Sequence, residues 1–483
     1  MPRAILFPAF LWFIGTLSIQ ATPEAVLAEM EKIQGESGTK TASLGLCFIP
    51  LSGTPEDAEG YQIDLGLIPA STLKAVTTAV AIETLGPDFH FTTELQIAGT
   101  LSEEGVLDGD VVIRGGGDPM LGESNIASTF SRWQSALRKA GIKEVLGSVV
   151  GDATIFGTQL IPDTWQWNDM GNYYGAGASG LTFHQNLFYC RFRTPSVGRP
   201  APFTGTDPRL PGIQFINEMR VGSSGSGDQG YIYGVPYGTI YYLRGTVPAG
   251  TGSFTIKGSL PDPAYFCARA FTKHLNGNGL SVAGDPTTVR RMKIEGETLA
   301  TRTGIHSEES PALSSIIYQT NMKSNNLQAE CIHRMIGIKL AESGTTKASS
   351  HAVKEYWKEK GIDMSGFSMG DGCGLSRANT ITPRQMAMML YHAAKGDSFD
   401  SFYRSLPVAG RSGTLRSIGG GSAAEGRIVA KSGTIDRVRN YAGYVNTRSG
   451  KRYAFALFVN NYSGELWQVK SQIVRIWTRL VAL

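Results

Sequence analysis

The chain has 483 residues, of which 41% are hydrophobic, and its formal net charge at pH 7 is +4. A chain of this length and composition can bury large cores and is long enough for two or three domains. Its charges form no long basic block, which argues against a nucleic-acid-binding protein.

The N-terminal segment has the pattern of a secretory signal peptide. Arg3 is followed by an apolar run over residues 4–14 and then by small or polar residues up to Ala21. The apolar run is shorter than a membrane span requires. We therefore expect residues 1–21 to direct export to the periplasm or cell envelope, with cleavage near Ala21.

The five cysteines are too scattered for a zinc site and too few for a disulfide scaffold. They are Cys47, Cys190, Cys267, Cys331 and Cys373. An oxidising compartment permits one or two bridges, but the sequence leaves the pairing open. At least one thiol has no intrachain partner.

A predicted helix begins at Ser71. Apolar residues recur at roughly helical spacing up to Leu85, and Gly86 and Pro87 then provide a stop signal. The prediction is a buried helix with Ser71 at its first turn.

Between about residues 90 and 300 the pattern changes to short β-rich runs separated by glycine, proline and aspartate turns. Examples are residues 94–97, 111–114 and 231–243. The three glycines at 115–117 follow a strand and lack the rest of a phosphate-binding loop, which favours a tight turn. We expect an inserted β-rich region with two subdomains.

The last third of the chain returns to mixed helical and strand patterns. Helical periodicity is predicted over 313–340 and 383–394, and two runs, 427–445 and 453–459, predict an antiparallel hairpin around a turn at 446–451. An amphipathic helix over 465–483 would pack on that sheet.

Together these elements predict an α/β fold class, with an antiparallel sheet and flanking helices. The catalytic domain is expected in two parts, residues 22–88 and 300–483, split by the insertion at 89–299.

Ser71 and Lys74 form the first chemical motif, Ser-x-x-Lys. A serine hydroxyl is a poor nucleophile that needs a positioned base, and a lysine can act as that base when its ammonium is destabilised. Residues three apart in the first turn of a helix share one face. The motif alone is common in long chains, so its weight comes from its companions.

The second motif is Ser324-Asn325-Asn326. Ser324 supplies a hydroxyl that can relay a proton, and Asn326 supplies an amide that can hydrogen-bond a peptide backbone.

The third motif, Lys431-Ser432-Gly433-Thr434, lies in a predicted strand over 427–435. There a cation and a hydroxyl can bind a substrate carboxylate, and the glycine admits close approach. The order S-x-x-K, S-x-N, K-S-G matches the signature of penicillin-binding proteins and serine β-lactamases.

Over nearly its whole mature length the chain resembles the class C low-molecular-mass penicillin-binding proteins, the D-alanyl-D-alanine carboxypeptidase and endopeptidase group. The three motifs carry the resemblance, together with the long separation of the first two. Further matching stretches are residues 69–74, 109–119, 165–170, 371–377 and 405–410.

The resemblance implies a penicillin-binding or serine β-lactamase-like catalytic fold and a serine peptidase that acts on peptidoglycan stem peptides and is inhibited by β-lactam antibiotics, without a cofactor or metal. Ser71 would be the acylated nucleophile, Lys74 its base and Ser324 a proton relay. The backbone N–H groups of Ser71 and Thr434 would form the oxyanion hole.

Substrate recognition is expected from further side chains. Lys431 and Ser432 would hold the carboxylate of the leaving D-Ala on an accessible strand. Asp169, which follows two tryptophans, and Arg377, which follows a glycine-rich turn, would bind the ammonium and carboxylate of a diaminopimelate side chain. The alternative is that Asp169 caps a turn and Arg377 pairs with a structural acid.

The chain departs from the group's pattern at a few positions. Its motifs have S-N-N and K-S-G where S-D-N and K-T-G are common, Cys373 stands where serine is usual, and Ser412 replaces an expected aspartate. None of these changes removes a hydroxyl, amide or ammonium that the mechanism needs. No histidine or cation neighbours Cys373 in the sequence, which favours a structural thiol.

Two other functions remain as alternatives: a non-catalytic cell-wall-binding protein that kept the fold, and a β-lactamase. The complete set of motif side chains argues against the first, and the lack of an identifiable deacylating carboxylate argues against the second. The chain contains no H-E-x-x-H pair, which disfavours a zinc protease. The sequence leaves the oligomeric state open.

Overall fold

The computed structural model describes residues 21–123, 125–250 and 252–483. The predicted signal peptide lies outside the described residues except for Ala21. Within the described ranges, every helix is too short or too polar to cross a membrane.

The N-terminal part of the chain places the first motif inside a core. A 3-10 turn, Ala70–Thr72, leads directly into a helix whose residues from Leu73 to Ile82 are all buried. The buried helix predicted at Ser71 is therefore confirmed. The elements of this part are α1 Pro23–Gln34, β1 Ser43–Pro50, β2 Glu59–Tyr61 and α2 Leu73–Thr84.

The middle of the chain is β-rich and has an apolar core of its own, which includes Trp133 and Phe271. Its strands form a seven-stranded, a four-stranded and a three-stranded sheet. The elements are β3 Thr92–Leu101, β4 Val106–Arg114, α3 Ile126–Lys139, β5 Glu144–Val145, β6 Val149–Asp152, α4 Trp167–Met170, β7 Leu187–Thr194, β8 Phe203–Asp207, β9 Gln214–Asn217, β10 Arg220–Gly222, β11 Gln229–Tyr233, β12 Ile240–Pro248, β13 Gly252–Ser259, α5 Pro263–Gly277, β14 Ser281–Val282, β15 Thr287–Thr288, α6 Val289–Glu295 and β16 Arg302–Glu309.

Two details of this region differ from the sequence prediction. The run at 231–243 contains two strands, because the Gly- and Pro-containing segment 234–239 connects β11 to its antiparallel partner β12. Strand β16 pairs antiparallel with β3, so the sheet extends past the boundary expected at residue 299. This pairing covers the edge of β3 that would otherwise present unpaired backbone groups.

The last part of the chain supplies most of the helices around the first motif. The helical stretch predicted over 313–340 comprises two helices, because Ser324 adopts a left-handed conformation (φ 55°) and ends the first of them. The elements are α7 Leu313–Lys323, α8 Asn326–Ala341, α9 Thr346–Glu359, α10 Pro383–Ala393, α11 Phe399–Ser405, β17 Ile428–Ile435, β18 Val438–Asn446, β19 Arg452–Asn460 and α12 Leu466–Val481.

The predicted hairpin is part of a larger antiparallel sheet. The run at 427–445 contains both β17 and β18, joined by a tight turn at Asp436 and Arg437. The strand predicted over 427–435 is confirmed as β17, whereas the rest of the run is a separate strand. The strand order is β17-β18-β19-β1-β2. The first and last strands of the chain are therefore neighbours, and β17 is an edge strand.

Apolar side chains cover both faces of this sheet. Along β1, Cys47 and Ile49 belong to the core that contains α2 and α8, whereas Leu46 and Phe48 belong to the core beneath α1 and α12. This alternation follows from the two-residue period of a strand. The α/β architecture with an antiparallel sheet and flanking helices is confirmed.

All five cysteines are described, and all are buried and free. The fold is thus held by its apolar cores rather than by disulfide bridges within the described chain.

Candidate active site

A cavity of about 550 Å³ opens beside the 3-10 turn that carries Ser71. Loops and strands from both the insertion and the central-sheet region line it. The predicted site residues in its lining are Ser71, Asp169, Ser324, Asn326, Arg377 and Thr434. The structure therefore brings together side chains that are far apart in the sequence.

Lys74 lies behind Ser71 and is fully buried. Its Nζ is 3.0 Å from Oγ of Ser71, 2.6 Å from Oδ1 of Asn326 and 2.6 Å from the carbonyl oxygen of Cys373. The amide of Asn326 is fixed in this orientation because its Nδ2 donates to the carbonyl of Tyr174 at 2.7 Å. Burial lowers the pKa of Lys74, while the carboxylates of Asp371 and Glu330 act in the opposite direction.

A neutral amine can make these three contacts, and burial favours this uncharged form. A neutral lysine has two N–H donors and one lone pair, and the two 2.6 Å contacts of Lys74 are both with oxygen acceptors. When the two N–H groups serve those acceptors, the lone pair is left for the hydroxyl proton of Ser71. The arrangement can therefore deprotonate the serine.

Ser324 and Lys431 form a second pair across the cleft. Nζ of Lys431 lies 2.9 Å from Oγ of Ser324 and donates to the carbonyl of Ser432 at 2.8 Å. Burial holds the pKa of Lys431 well below its usual value, and the nearby cations Lys74 and Arg439 add to this effect. Ser324 is thus placed to exchange a proton with a lysine on one side and with a substrate on the other.

The third motif is less accessible than its strand position suggested. Lys431 is 0% exposed and Ser432 is 6% exposed. The hydroxyl of Ser432 lies 2.7 Å from that of Thr414, and Thr434 accepts a hydrogen bond from Arg439. The expectation of an accessible strand is wrong for Lys431, because the turn around Ser71 covers this part of β17.

Two glycines allow this close packing. A Cβ atom on Gly433 would lie 2.6 Å from the carbonyl oxygen of Pro69, and one on Gly374 would lie 1.9 Å from that of Ala70. Gly374 also has a left-handed φ of 83°. Any side chain at either position would push β17 or the 371–377 loop away from the turn that carries Ser71.

Sequence reasoning missed two buried asparagines that hold the segment before Ser71. Nδ2 of Asn440 donates to the carbonyls of Ile68 and Pro69 at 2.7 and 3.0 Å. The N–H of Ile68 donates to Oδ1 of Asn460 at 2.9 Å. The available signal was an amide within each of two predominantly apolar strands, which is typical of a polar group with a fixed partner.

Asp371 was also missed as an organising residue. It is 0% exposed, and its two carboxylate oxygens accept N–H groups from Trp165, Gly374, Ser376 and Asn379 at 2.6–2.8 Å. The side-chain ligand atoms of Asp371, Glu330 and Cys373 lie within 4.8 Å of one another, close enough to hold a metal ion. Because four N–H donors already occupy the oxygens of Asp371, this carboxylate serves to anchor the loop rather than to bind a cation.

Cys373 contributes its backbone rather than its thiol to the site. Its carbonyl contacts Lys74, whereas burial and the Asp371 carboxylate hold the pKa of the thiol well above its usual value. A thiol that stays protonated is a poor nucleophile. This supports the interpretation of Cys373 as a structural thiol.

Asp169 and Arg377 line the same cavity as Ser71. Asp169 is 6% exposed, and burial raises the pKa of its carboxyl, with the backbone of Gln166 and the charge of Arg377 opposing the shift. Arg377 is exposed and belongs to none of the ion pairs in the described part of the chain. The contact of Asp169 with Gln166 fits the capping role, but the predicted pairing of Arg377 with a structural acid is not found among the described residues.

The sequence is similar to those of known D-Ala-D-Ala carboxypeptidases. The model of the D-Ala-D-Ala carboxypeptidase 3 (S13) family matches residues 40–480. A D-alanyl-D-alanine carboxypeptidase of Actinomadura sp. (strain R39) is 31% identical over 426 residues, which cover 85% of this chain and 77% of that protein.

Two solved structures show the same fold. Penicillin binding protein 4 of Haemophilus influenzae has a TM-score of 0.77 at 23% identity and covers 94% of this chain and 98% of its own. A predatory peptidoglycan endopeptidase of Bdellovibrio bacteriovorus has a TM-score of 0.51 at 16% identity and covers 91% and 93%.

Proposed function

The chain belongs to the D-Ala-D-Ala carboxypeptidase 3 (S13) family, and we propose that it cleaves peptidoglycan stem peptides through an acyl-enzyme on Ser71. It is a serine-type D-Ala-D-Ala peptidase, a class that includes carboxypeptidases and endopeptidases. The 3.0 Å contact between Nζ of Lys74 and Oγ of Ser71 carries the assignment of the nucleophile, because the neutral form of this amine can accept the Ser71 proton.

The proposed acylation begins with transfer of the Ser71 proton to Lys74. The Ser71 oxygen attacks the carbonyl carbon of the penultimate D-Ala, and the N–H groups of Ser71 and Thr434 stabilise the developing oxyanion. Each such donor typically contributes about 3 kcal/mol. Ser324 passes its proton to the amine of the terminal D-Ala, which leaves, and Lys431, 2.9 Å from Oγ of Ser324, replaces that proton. Water then attacks the ester carbonyl, its proton returns to the Ser324–Lys431 pair, and Lys74 gives its proton back to the departing Ser71 oxygen.

Binding of the leaving D-Ala is assigned to the third motif and its neighbours. We expect the substrate carboxylate to approach the hydroxyls of Ser432 and Thr434, in the field of Lys431. An arriving anion favours the charged form of a buried lysine, so the lowered pKa of Lys431 would rise when substrate binds. Gly433 keeps this strand against the nucleophile turn, and Asn326 would hydrogen-bond the peptide backbone.

Asp169 and Arg377 are proposed to select the third residue of the stem peptide. One supplies a carboxylate and the other a guanidinium to the same cavity, and a diaminopimelate side chain carries the complementary ammonium and carboxylate. Arg377 is exposed and forms no ion pair among the described residues, which supports this assignment.

We further propose that the protein acts outside the cytoplasm, in the periplasm or cell envelope, where peptidoglycan lies, and that β-lactams acylate Ser71. The assembled base and relay argue against a non-catalytic binding protein. A β-lactamase would release the acyl group quickly, and we expect slow release instead.

Intact-mass spectrometry after exposure to benzylpenicillin tests the assignment. Wild-type protein should gain the mass of one benzylpenicillin, and Ser71→Ala should gain none. The matched control is Ser314→Ala, which removes a serine hydroxyl from the first turn of α7 and should leave the adduct in place. Absence of the adduct from wild type, or its survival in Ser71→Ala, would contradict the proposal.

A further inference from the structure

Glu330 is a buried carboxyl that the proposed reaction does not use. It lies on α8 and is 1% exposed. Its Oε1 accepts the N–H of Cys373 at 2.7 Å, and the carbonyl of the same residue contacts Nζ of Lys74 at 2.6 Å. A single residue of backbone therefore connects Glu330 to the base.

The second oxygen of Glu330 has no hydrogen-bond partner within the described chain. A buried carboxyl with an unsatisfied oxygen destabilises a fold relative to an apolar side chain of the same size. Apolar packing alone would therefore favour leucine or methionine at this position. The hydrogen bond to Cys373 is the visible reason for a carboxyl here.

The connection also has an electrostatic side. Burial, followed by the neighbouring Asp371 carboxylate, raises the pKa of Glu330 to about 7. When ionised, Glu330 favours the ammonium form of Lys74, which is the form produced when Lys74 takes the Ser71 proton. The titratable and charged groups around Glu330 are Lys74, Cys331, Arg334, Asp371 and Cys373.

We propose that Glu330 is a positioning residue for acylation: it fixes the backbone of Cys373, whose carbonyl then holds the amine of Lys74 against the hydroxyl of Ser71. The inference rests on the proposed function, because it assumes that Lys74 is the base. It adds a residue that lies outside the three motifs and does not line the cavity.

Two variants separate the hydrogen bond from the charge. Glu330→Gln keeps an acceptor for the Cys373 N–H, whereas Glu330→Met fills the space without one. We expect the second-order rate of acylation by benzylpenicillin to fall about 10- to 100-fold in Glu330→Met, as for a misplaced catalytic group. Glu330→Gln should stay within about threefold of wild type at neutral pH, since its acceptor is retained.

The pH dependence of the acylation rate provides a second test, because a residue with a purely structural role would not shift it. Acylation needs neutral Lys74, so its rate rises with pH through the pKa of Lys74. Loss of the Glu330 charge lowers that pKa, and the rise should therefore occur at lower pH in Glu330→Gln than in wild type. Thermal unfolding of each variant checks that it is folded at the assay temperature.

Gln472→Met is the matched control for lost stability. Gln472 is a buried amide on α12, bonded to Glu36 and Thr39 far from the cleft, and its loss should lower the unfolding midpoint without slowing acylation.

Wild-type-like acylation of Glu330→Met, an equal loss in Glu330→Gln, or an equal loss in Gln472→Met would overturn the inference while the proposed function stands. A wild type that forms no adduct would overturn both. If Glu330→Met does not fold, a tenfold loss in Glu330→Gln still contradicts the inference.

Discussion

The two walls of the cleft differ in how firmly their side chains are held. On the catalytic wall, formed by residues 68–74, 324–326 and 431–434, Lys74 has three contacts of 3.0 Å or less and the asparagines of β18 and β19 fix the preceding backbone. On the recognition wall, formed by Asp169, Tyr231 and Arg377, only Asp169 is buried: Tyr231 is 41% exposed, and Arg377 is exposed without an ion pair among the described residues.

This difference indicates that the two walls have different roles, one in the reaction and the other in the choice of ligand. Buried groups with fixed partners need little reorganisation during a reaction, and such preorganisation supplies most of the stabilisation of a transition state. Exposed charges contribute less, because water screens them and their side chains lose conformational entropy on binding. We therefore expect substitutions that remove a functional group from the catalytic wall to affect every ligand strongly, and those on the recognition wall to affect only ligands that reach it.

Lys74→Arg should produce the largest loss among these tests. Arginine keeps the positive charge but gives up no proton near neutral pH, so the general base is lost although the charge remains. Acylation by benzylpenicillin should slow about 100- to 10,000-fold, measured as a second-order rate. Lys358→Arg, an exposed lysine on α9, is the control and should react like wild type. Appreciable acylation of Lys74→Arg would rule out a lysine base.

Asp169→Ala and Arg377→Ala test the recognition wall. Each should cost about 1 to 3 kcal/mol of transition-state binding toward diaminopimelate peptides, the usual effect of leaving a charged partner unpaired. The measurement is kcat/KM for release of D-Ala, alongside the rate of acylation by benzylpenicillin, which should change little. Equal losses with both ligands would show that these residues hold the fold, and unchanged peptide cleavage would remove them from the site.

The sequence was informative where chemistry demands particular residue types at fixed spacing. The Ser71 helix follows from a single local pattern, and the three motifs could be placed in one site because their order and types are specific. The strand over 427–435 was predicted, but the second strand of the same run was missed because the Asp436–Arg437 turn contains neither glycine nor proline, although Arg437 adopts a left-handed φ of 56°.

Other features of the site depend on contacts between distant parts of the chain, which a local sequence pattern does not predict. The roles of Asn440, Asp371 and Glu330 come from partners that lie hundreds or tens of positions away in the chain. The burial of Lys431 follows from the turn that packs on β17, which strand periodicity does not reveal. The sequence therefore predicts which groups react, whereas the structure shows which contacts hold them.

The two walls should also respond differently to acid. Burial raises the pKa of Asp169 above its ordinary value, and binding of an ammonium requires the ionised carboxylate. As the pH falls through this raised pKa, the carboxylate is protonated and KM for diaminopimelate peptides should increase. The increase should begin at a higher pH than it would for an aspartate with an ordinary pKa. KM profiles of wild type and Asp169→Asn provide the measurement. In Asp169→Asn the rise of KM at low pH should be absent. An identical KM profile in both proteins would show that Asp169 does not cause the rise.

The smallest effect is expected from Ser432→Thr, which restores the more common K-T-G form of the third motif. Threonine keeps the hydroxyl that lies 2.7 Å from that of Thr414, and its β-branched side chain suits a strand. The added methyl group enters a site where Ser432 is already 6% exposed. Because the substitution removes no donor or acceptor, acylation by benzylpenicillin and cleavage of D-Ala peptides should both stay within about twofold of wild type. A larger change confined to the peptide would indicate that the methyl group alters binding of the D-Ala carboxylate. An equal loss with both ligands would instead show that β17 has been displaced from the nucleophile turn and that the catalytic wall has no room for one more carbon atom.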